Sequence, residues 1–420
     1  MRRILVWRKP AEGSDIGIFH KTDYRDIYAK TLSYYGYTNG INFGNKVWYQ
    51  GICSAISQPD NYITYGTNES AEEINDHYDL IIYPMANFFG EKFCHDTTQL
   101  ADSFSKITIP VYIIACGAQA ASYDHLDDLI SKISDPARRF IDSIYHTGGE
   151  FALRGYFTKE FFNRLGYSTP VVTGCPSLYQ VGPDLKIEKK TTCPGKPVIN
   201  GKIKAFEQIL RRMPDSVFLA QDSFFDCLYN GNYFQKASLK KDLSFVRSYG
   251  VYPAELLAEG RIRLFPDTAD WYGFLRASGF DYSFGTKIHG SIMPILAGIP
   301  ATVVSIDSRT KEMAEFFEIP YLPFRDGYTY SEEDLYAAYE EADYSRFNES
   351  FSQKYHAFEQ FLTDKGIVDK IQTKNEFFKD TGENHNLDYL PNQLRFRQYA
   401  SKLKREEPLL RLGGWFLDLK

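Results

Sequence analysis

Between Phe280 and Pro300 the chain carries a cation, a histidine and two glycines in close order: Gly285-Thr286-Lys287-Ile288-His289-Gly290-Ser291. A short apolar run precedes this block. An apolar helical pattern follows it and closes at Gly298 and Pro300. Strand, tight loop and helix start, in that order, make an anion cradle. The first N–H groups of a helix lack internal partners, and the macrodipole favours negative charge there. Lys287 adds a full charge and His289 a proton donor suited to neutral pH. The ligand chemistry this suggests is a small phosphorylated or carboxylated molecule.

Other polar residues stand at predicted strand ends and turns, where a sheet protein places its ligands. Arg154 follows the apolar run Phe151–Leu153, and Arg309 opens a predicted helix after Ser305-Ile306-Asp307-Ser308. Asn45, Asn87 and Gln119 lie at turns, where such side chains serve backbone geometry as well as ligands. Cys175, between Gly174 and Pro176, reads as a small buried residue rather than a nucleophile.

The elements that must position these residues alternate along the chain. Apolar strands are predicted at Ile4–Trp7, Leu80–Tyr83, Ile109–Ala115, Phe151–Arg154 and Pro170–Thr173, with helices at Val47–Ile56 and Thr158–Leu165. A second series follows a lysine-rich stretch at 186–196: strands at Pro197–Asn200, Ser216–Ala220, Ile262–Phe265 and Ala301–Ser305, and helices at Lys202–Arg212, Asp267–Ser278 and Thr310–Phe317. This alternation is the signature of βαβ units and parallel sheets. At 420 residues the chain is long for a single core. The expected division is 1–185, a linker at 186–196, 197–330, and a helical extension at 331–420. Ligands of such sheets bind beyond the carboxyl ends of the strands, here in a cleft between two lobes.

Composition narrows the function. The net charge of −6 argues against non-specific nucleic-acid binding. The six cysteines have no C-x-x-C spacing, as expected in a reducing compartment without a zinc site. No window approaches the ~18 apolar residues of a membrane span, and the apolar start, Ile4–Trp7, is short for a signal peptide. A cytoplasmic protein is expected. With 31 Tyr and 32 Phe, the chain has either aromatic surfaces suited to carbohydrate or the codon bias of an AT-rich genome. In the tail, Phe396, Tyr399, Ala400 and Leu403 share a helix face near Leu409, Leu410, Trp415 and Phe416. This reads either as a basic aromatic element at the inner membrane surface or as a helix packed on the body.

Taken together, the blocks resemble the polysaccharide pyruvyl transferase family. Gly285-Thr286-Lys287-Ile288-His289-Gly290 is similar to the family's G-x-R-x-H-G. Leu153-Arg154, Leu165-Gly166 and Val171-Val172-Thr173-Gly174-Cys175-Pro176-Ser177 resemble its central pattern. Asn42-Phe43-Gly44-Asn45 is similar to its N-x-G-D, and Cys116-Gly117-Ala118-Gln119 to its glycine turn. Lys287 replaces the usual arginine, Asn45 the usual aspartate, and Tyr83-Pro84-Met85-Ala86-Asn87 a glycine-rich turn.

The resemblance implies a GT-B-like fold, with two Rossmann-type doubly wound domains facing a cleft and C-terminal helices behind. It also implies transfer of pyruvyl from phosphoenolpyruvate, as donor substrate and without a further cofactor or metal, to a glycan or lipid-linked oligosaccharide during surface polysaccharide assembly. His289 would be the general acid; Arg154, Lys287, Arg309 and the N–H groups of Gly290 and Ser291 would hold the donor; Asn45, Asn87 and Gln119 would face the acceptor. Two other readings stay open: a glycosyltransferase of the same architecture, with Glu312 or Glu315 on the ribose of a nucleotide sugar, and a non-catalytic glycan-binding protein.

Overall fold

Alternation along the strands divides the interior. Ile4 and Val6 face one core while Leu5 faces another, and Tyr112 and Ile114 oppose Val111 and Ile113 in the same way. Both faces are apolar because helices cover both, as parallel sheets require. The computed structural model describes residues 1–7, 19–20, 42–86, 88–221, 249–250, 252–265, 268–371, 397–406 and 408. Within them the chain forms two sheets.

The first contains β1 (Arg2–Val6), β2 (Phe19–His20), β3 (Asn61–Tyr65), β4 (Leu80–Pro84), β5 (Val111–Cys116), β6 (Glu150–Leu153) and β7 (Val171–Val172). Their order is β2-β3-β1-β4-β5-β6-β7, parallel throughout except for the edge strand β2. The second contains β8 (Pro197–Asn200), β9 (Val217–Leu219), β10 (Ile262–Arg263), β11 (Tyr282–Gly285), β12 (Ala301–Ser305) and β13 (Tyr321–Pro323). It runs β10-β9-β8-β11-β12-β13, parallel throughout. This is the doubly wound order in which the chain reverses direction at the centre and opens a crevice beyond the strand ends. The reversal falls between β8 and β11, where Asn200 and Gly285 stand side by side in register.

The expected GT-B-like architecture of two doubly wound lobes is therefore the one observed. Helix Gly44–Ile56 of the first lobe packs on helix Ile288–Leu296 of the second, and both pack on the 3-10 turn Pro176–Val181. One apolar core consequently runs through both lobes. Behind them, helices Glu332–Glu341 and Ser345–Asp364 carry the chain back to the first sheet. There Phe361 meets Tyr112 edge-on at 6.4 Å, and Asn61 Nδ2 donates to the Ile367 carbonyl at 3.0 Å.

Several elements depart from the sequence expectation. The helix expected at Lys202–Arg212 divides into a 3-10 turn, Ile203–Phe206, and an α-helix, Glu207–Arg212. The strand expected at Ile262–Phe265 pairs only over Ile262–Arg263. Strand β3 and helices Ala71–His77, Cys94–Phe104 and Leu126–His146 were not anticipated. In the tail, residues 397–406 are helical, with Tyr399, Ala400 and Leu403 buried in the second lobe's outer core. That apolar face is thus taken by the body of the protein; Phe396, Leu409, Leu410, Trp415 and Phe416 lie outside the described residues. Among the described residues no helix is long and apolar enough to cross a membrane.

Candidate active site

At the switch point of the second sheet, β11 ends and the chain turns through Thr286 and Lys287 into helix Ile288–Leu296. Lys287 is the N-cap, but its side chain makes no capping hydrogen bond. Asn200, at the end of the neighbouring β8 and fully buried, does that work from outside. Its Oδ1 accepts the Lys287 N–H at 2.9 Å, and its Nδ2 donates to Ser291 Oγ at 3.3 Å. The helix start is thus fastened to the sheet by a side chain that itself ends a strand.

Gly290 has no room for a side chain: a Cβ there would come 2.2 Å from Gln221 Nε2 and 2.7 Å from Asn200 Cγ. The expectation that the Ser291 N–H is free for a ligand is corrected here. That N–H donates to the Lys287 carbonyl at 3.1 Å, the first i→i−4 bond of the helix, so the unpaired donors end with Gly290.

His289 is 5% exposed and lies in the seam between the lobes. A Cβ built on Gly44, at the start of the facing helix, would stand 3.0 Å from His289 Cβ. Its Nε2 is 3.8 Å from Cys175 Sγ, which also accepts from Ser177 Oγ at 3.1 Å. Burial, and after it the charges of Arg154, Arg309 and Lys287, hold the imidazole well below the usual histidine range. The expected proton donor is therefore neutral in the ligand-free protein. All four side chains assembled from the sequence thus act on one another: three cations face one buried ring.

Arg154 is the most telling of the three. Its backbone N–H donates to the Cys116 carbonyl at 2.8 Å, fixing the end of β6 against β5. The side chain is only 3% exposed and lies 5.8 Å from the Trp48 ring. Among the described residues its Nε and Nη2 have no hydrogen-bond partner. A buried charge normally finds partners for its donors, so this guanidinium is prepared for a group that arrives from outside.

Arg309 is more committed: its Nε donates to Asp307 Oδ2 at 3.0 Å, and its Nη2 reaches the same oxygen. Asn45 lies in the first turn of helix Gly44–Ile56 with its side chain exposed. Gln119 is half-buried beside Ala120, whose N–H donates to Ser308 Oγ of the other lobe at 2.9 Å. Asn87 lies outside the described residues.

Sequence reasoning missed Asn200 and Gln221, which end or follow strands β8 and β9. Gln221 is 3% exposed, and among the described residues neither polar atom of its amide has a partner. The only signal available was a polar amide closing an apolar run. Glu312 and Glu315, considered for a nucleotide ribose, are engaged within the protein instead. Glu312 accepts from the Thr158 N–H and hydroxyl at 2.6 and 3.0 Å, and Glu315 accepts from Tyr123 and Tyr321 at 2.6 and 2.8 Å.

The model of the family described as polysaccharide pyruvyl transferase matches residues 16–308. The chain belongs to that family. The matched region takes in strands β2 to β12 and the His289 helix, so family membership brings with it a transferase acting in polysaccharide biosynthesis. No curated protein matches the chain. Among solved structures it is similar to a putative UDP-N-acetylglucosamine 2-epimerase from Listeria monocytogenes, at 9% identity and a TM-score of 0.37, over 96% of this chain and 97% of that one.

Proposed function

We propose that the protein transfers the pyruvyl unit of phosphoenolpyruvate to two hydroxyls of a sugar, forming a pyruvate ketal and releasing phosphate during surface polysaccharide assembly. The observation that carries this reading is the Arg154 guanidinium, buried, with two unpartnered donor atoms, and electrostatically coupled to His289. A carboxylate or phosphate oxygen supplies what those donors lack, in a charge-assisted hydrogen bond. Lys287 and the free N–H groups at the start of helix Ile288–Leu296 add positive potential from the opposite lobe.

His289 is neutral in the empty site because burial and three cations oppose its charge. The arriving donor brings negative charge that offsets those cations and raises the ring's proton affinity. The imidazolium so formed gives its proton to the methylene carbon of the donor, leaving the adjacent carbon cation-like. A sugar hydroxyl adds there and loses its proton. A second hydroxyl of the same sugar then displaces phosphate, which departs with the bridging oxygen and with that hydroxyl's proton, and the ketal closes. General acid assistance of this kind contributes typically ~10² to 10⁴ in rate. The acceptor, a glycan or lipid-linked oligosaccharide, would enter from the first lobe past Asn45 and Gln119.

Thermal unfolding with phosphoenolpyruvate and with a panel of nucleotide sugars tests the reading. Stabilisation by phosphoenolpyruvate alone is expected. Stabilisation by a nucleotide sugar alone would replace this reading with the glycosyltransferase one.

A further inference from the structure

Helix Tyr156–Arg164 begins at Gly155, which has no side chain with which to cap it. The missing cap comes from the other lobe. Glu312, on helix Ser308–Phe317, accepts the N–H of Thr158, the third residue of the helix, at 2.6 Å on Oε1, and the Thr158 hydroxyl at 3.0 Å on Oε2. A carboxylate at this end is favoured by the unpaired N–H groups and the macrodipole.

The approach depends on Gly155: a Cβ there would stand 2.3 Å from Glu312 Cγ. The residue before that glycine is Arg154. Glu312 is 1% exposed and within electrostatic reach of the guanidinium, yet both carboxylate oxygens are directed at Thr158.

We propose that Glu312 is a positioning residue for the anion site: it pins the Arg154–Gly155 turn of the first lobe to the second lobe while leaving the guanidinium's donors open to the donor substrate. This deepens the reading given under Proposed function and rests on it. If Glu312 bound Arg154 directly, it would compete with the incoming anion; without it, the turn would be held to the second lobe here by apolar packing such as Tyr156 on Phe316, ring centroids 6.0 Å apart, which lacks the direction of a hydrogen bond.

Burial pushes the Glu312 carboxyl up to about 7, against the Thr158 hydrogen bonds and the charge of Arg154, with Glu315 on its own helix adding to the rise. Tyr123 and Cys116, from neighbouring elements, also feel its charge. Ionisation near neutrality therefore places a negative charge beside the anion site, so donor affinity falls as pH rises through this range.

The test is phosphoenolpyruvate binding by calorimetry, from pH 6 to 8.5, on the full chain. Glu312→Ala is expected to weaken binding about 10- to 100-fold, the scale of a small misplacement of a binding group. Glu312→Gln keeps an oxygen for the Thr158 N–H, and its binding is expected to stay within about threefold of the wild type at neutral pH while falling less steeply with rising pH than the wild type's, the part due to His289 remaining. Gly155→Ala leaves the carboxyl intact but crowds it, and is expected to weaken binding as Glu312→Ala does; it serves in its place should that variant not fold.

Wild-type affinity in Glu312→Ala or in Gly155→Ala, or an equally steep fall with pH in Glu312→Gln, would overturn the assignment while leaving the donor reading intact. Absence of phosphoenolpyruvate binding by the wild type would overturn the donor reading, and this inference with it.

Discussion

Replacing Arg154 with methionine should make the empty protein more stable and the donor site useless. Arg154 is 97% buried, and two of its donor atoms lack partners. Each buried unsatisfied polar atom costs ~1–3 kcal/mol. Against that stand the contact with Trp48 at 5.8 Å, worth about 2 kcal/mol for a desolvated pair, and the attraction to Glu312. The balance favours methionine, which fills similar volume without a charge, by about 1–3 kcal/mol, since replacing unpaired buried charge with packed hydrocarbon is often stabilising.

In a chain of this length that corresponds to a rise in melting temperature of about 1–3 °C. The same substitution removes the charge-assisted bonds to the donor, a loss of about 2–5 kcal/mol, or roughly 30- to several thousand-fold in affinity. Thermal unfolding of wild type and Arg154→Met, each with and without phosphoenolpyruvate, reads both effects together. A variant that melts lower than the wild type when empty, or still shifts with donor, would refute the reasoning: the guanidinium would then be a structural group with satisfied surroundings.

Further outcomes follow from the same geometry. His289→Ala should lower turnover ~10²- to 10⁴-fold with donor affinity largely kept, checked by phosphate release with a pyruvylatable acceptor. Because the folded-state value of Glu312 is raised from 4.5 to about 7, its contribution to stability is fully present below pH 4.5 and is lost as pH rises through 7. That loss is on the order of 3 kcal/mol, so Glu312→Gln should gain stability relative to wild type across that window in denaturant titrations; parallel curves would contradict it. His289 has the opposite sign: its depressed value means its contribution is present above about pH 6.5 and is lost as pH falls further, so His289→Asn should lessen acid sensitivity in the same titrations. Asn200→Ala should cost about 1–3 kcal/mol, because it strands the Lys287 N–H and the Ser291 hydroxyl, and should weaken donor binding by loosening the helix start.

Much of the second lobe was legible because its strands are short apolar runs closed by polar or glycine residues, and the Lys287–His289 block follows one directly. The helix start carrying His289 is where the spacing of Gly285, Gly290 and Gly298 placed it. Other elements escaped for physical reasons. Helix Leu126–His146 buries Leu126, Leu129, Ile133, Ala137, Phe140, Ile141 and Ile144 on one face, but Asp135-Pro136 in its middle reads as a stop. Helix Ala71–His77 buries a single residue, Ile74, and so leaves almost no periodic trace.

The site was legible in its local parts only. His289, Lys287 and Arg309 lie close together in sequence. The association of Arg154 with Glu312 joins the two lobes, and that of Gly290 with Asn200 and Gln221 joins strand ends of the second lobe that are far apart in the chain; no local pattern records either. The depressed proton affinity of His289 likewise comes from burial between lobes. Ser291 was misjudged because which helical N–H groups remain free depends on where the first i→i−4 bond falls, and that was settled by Lys287 as N-cap.

The central claim is that a donor anion docks beside Arg154 and thereby charges His289. Calorimetry of phosphoenolpyruvate binding in two buffers of different ionisation enthalpy, at one pH near neutrality, measures the protons taken up on binding. Proton uptake by the wild type that falls sharply in His289→Asn is expected. Binding without proton uptake, or uptake equal in both proteins, would contradict it.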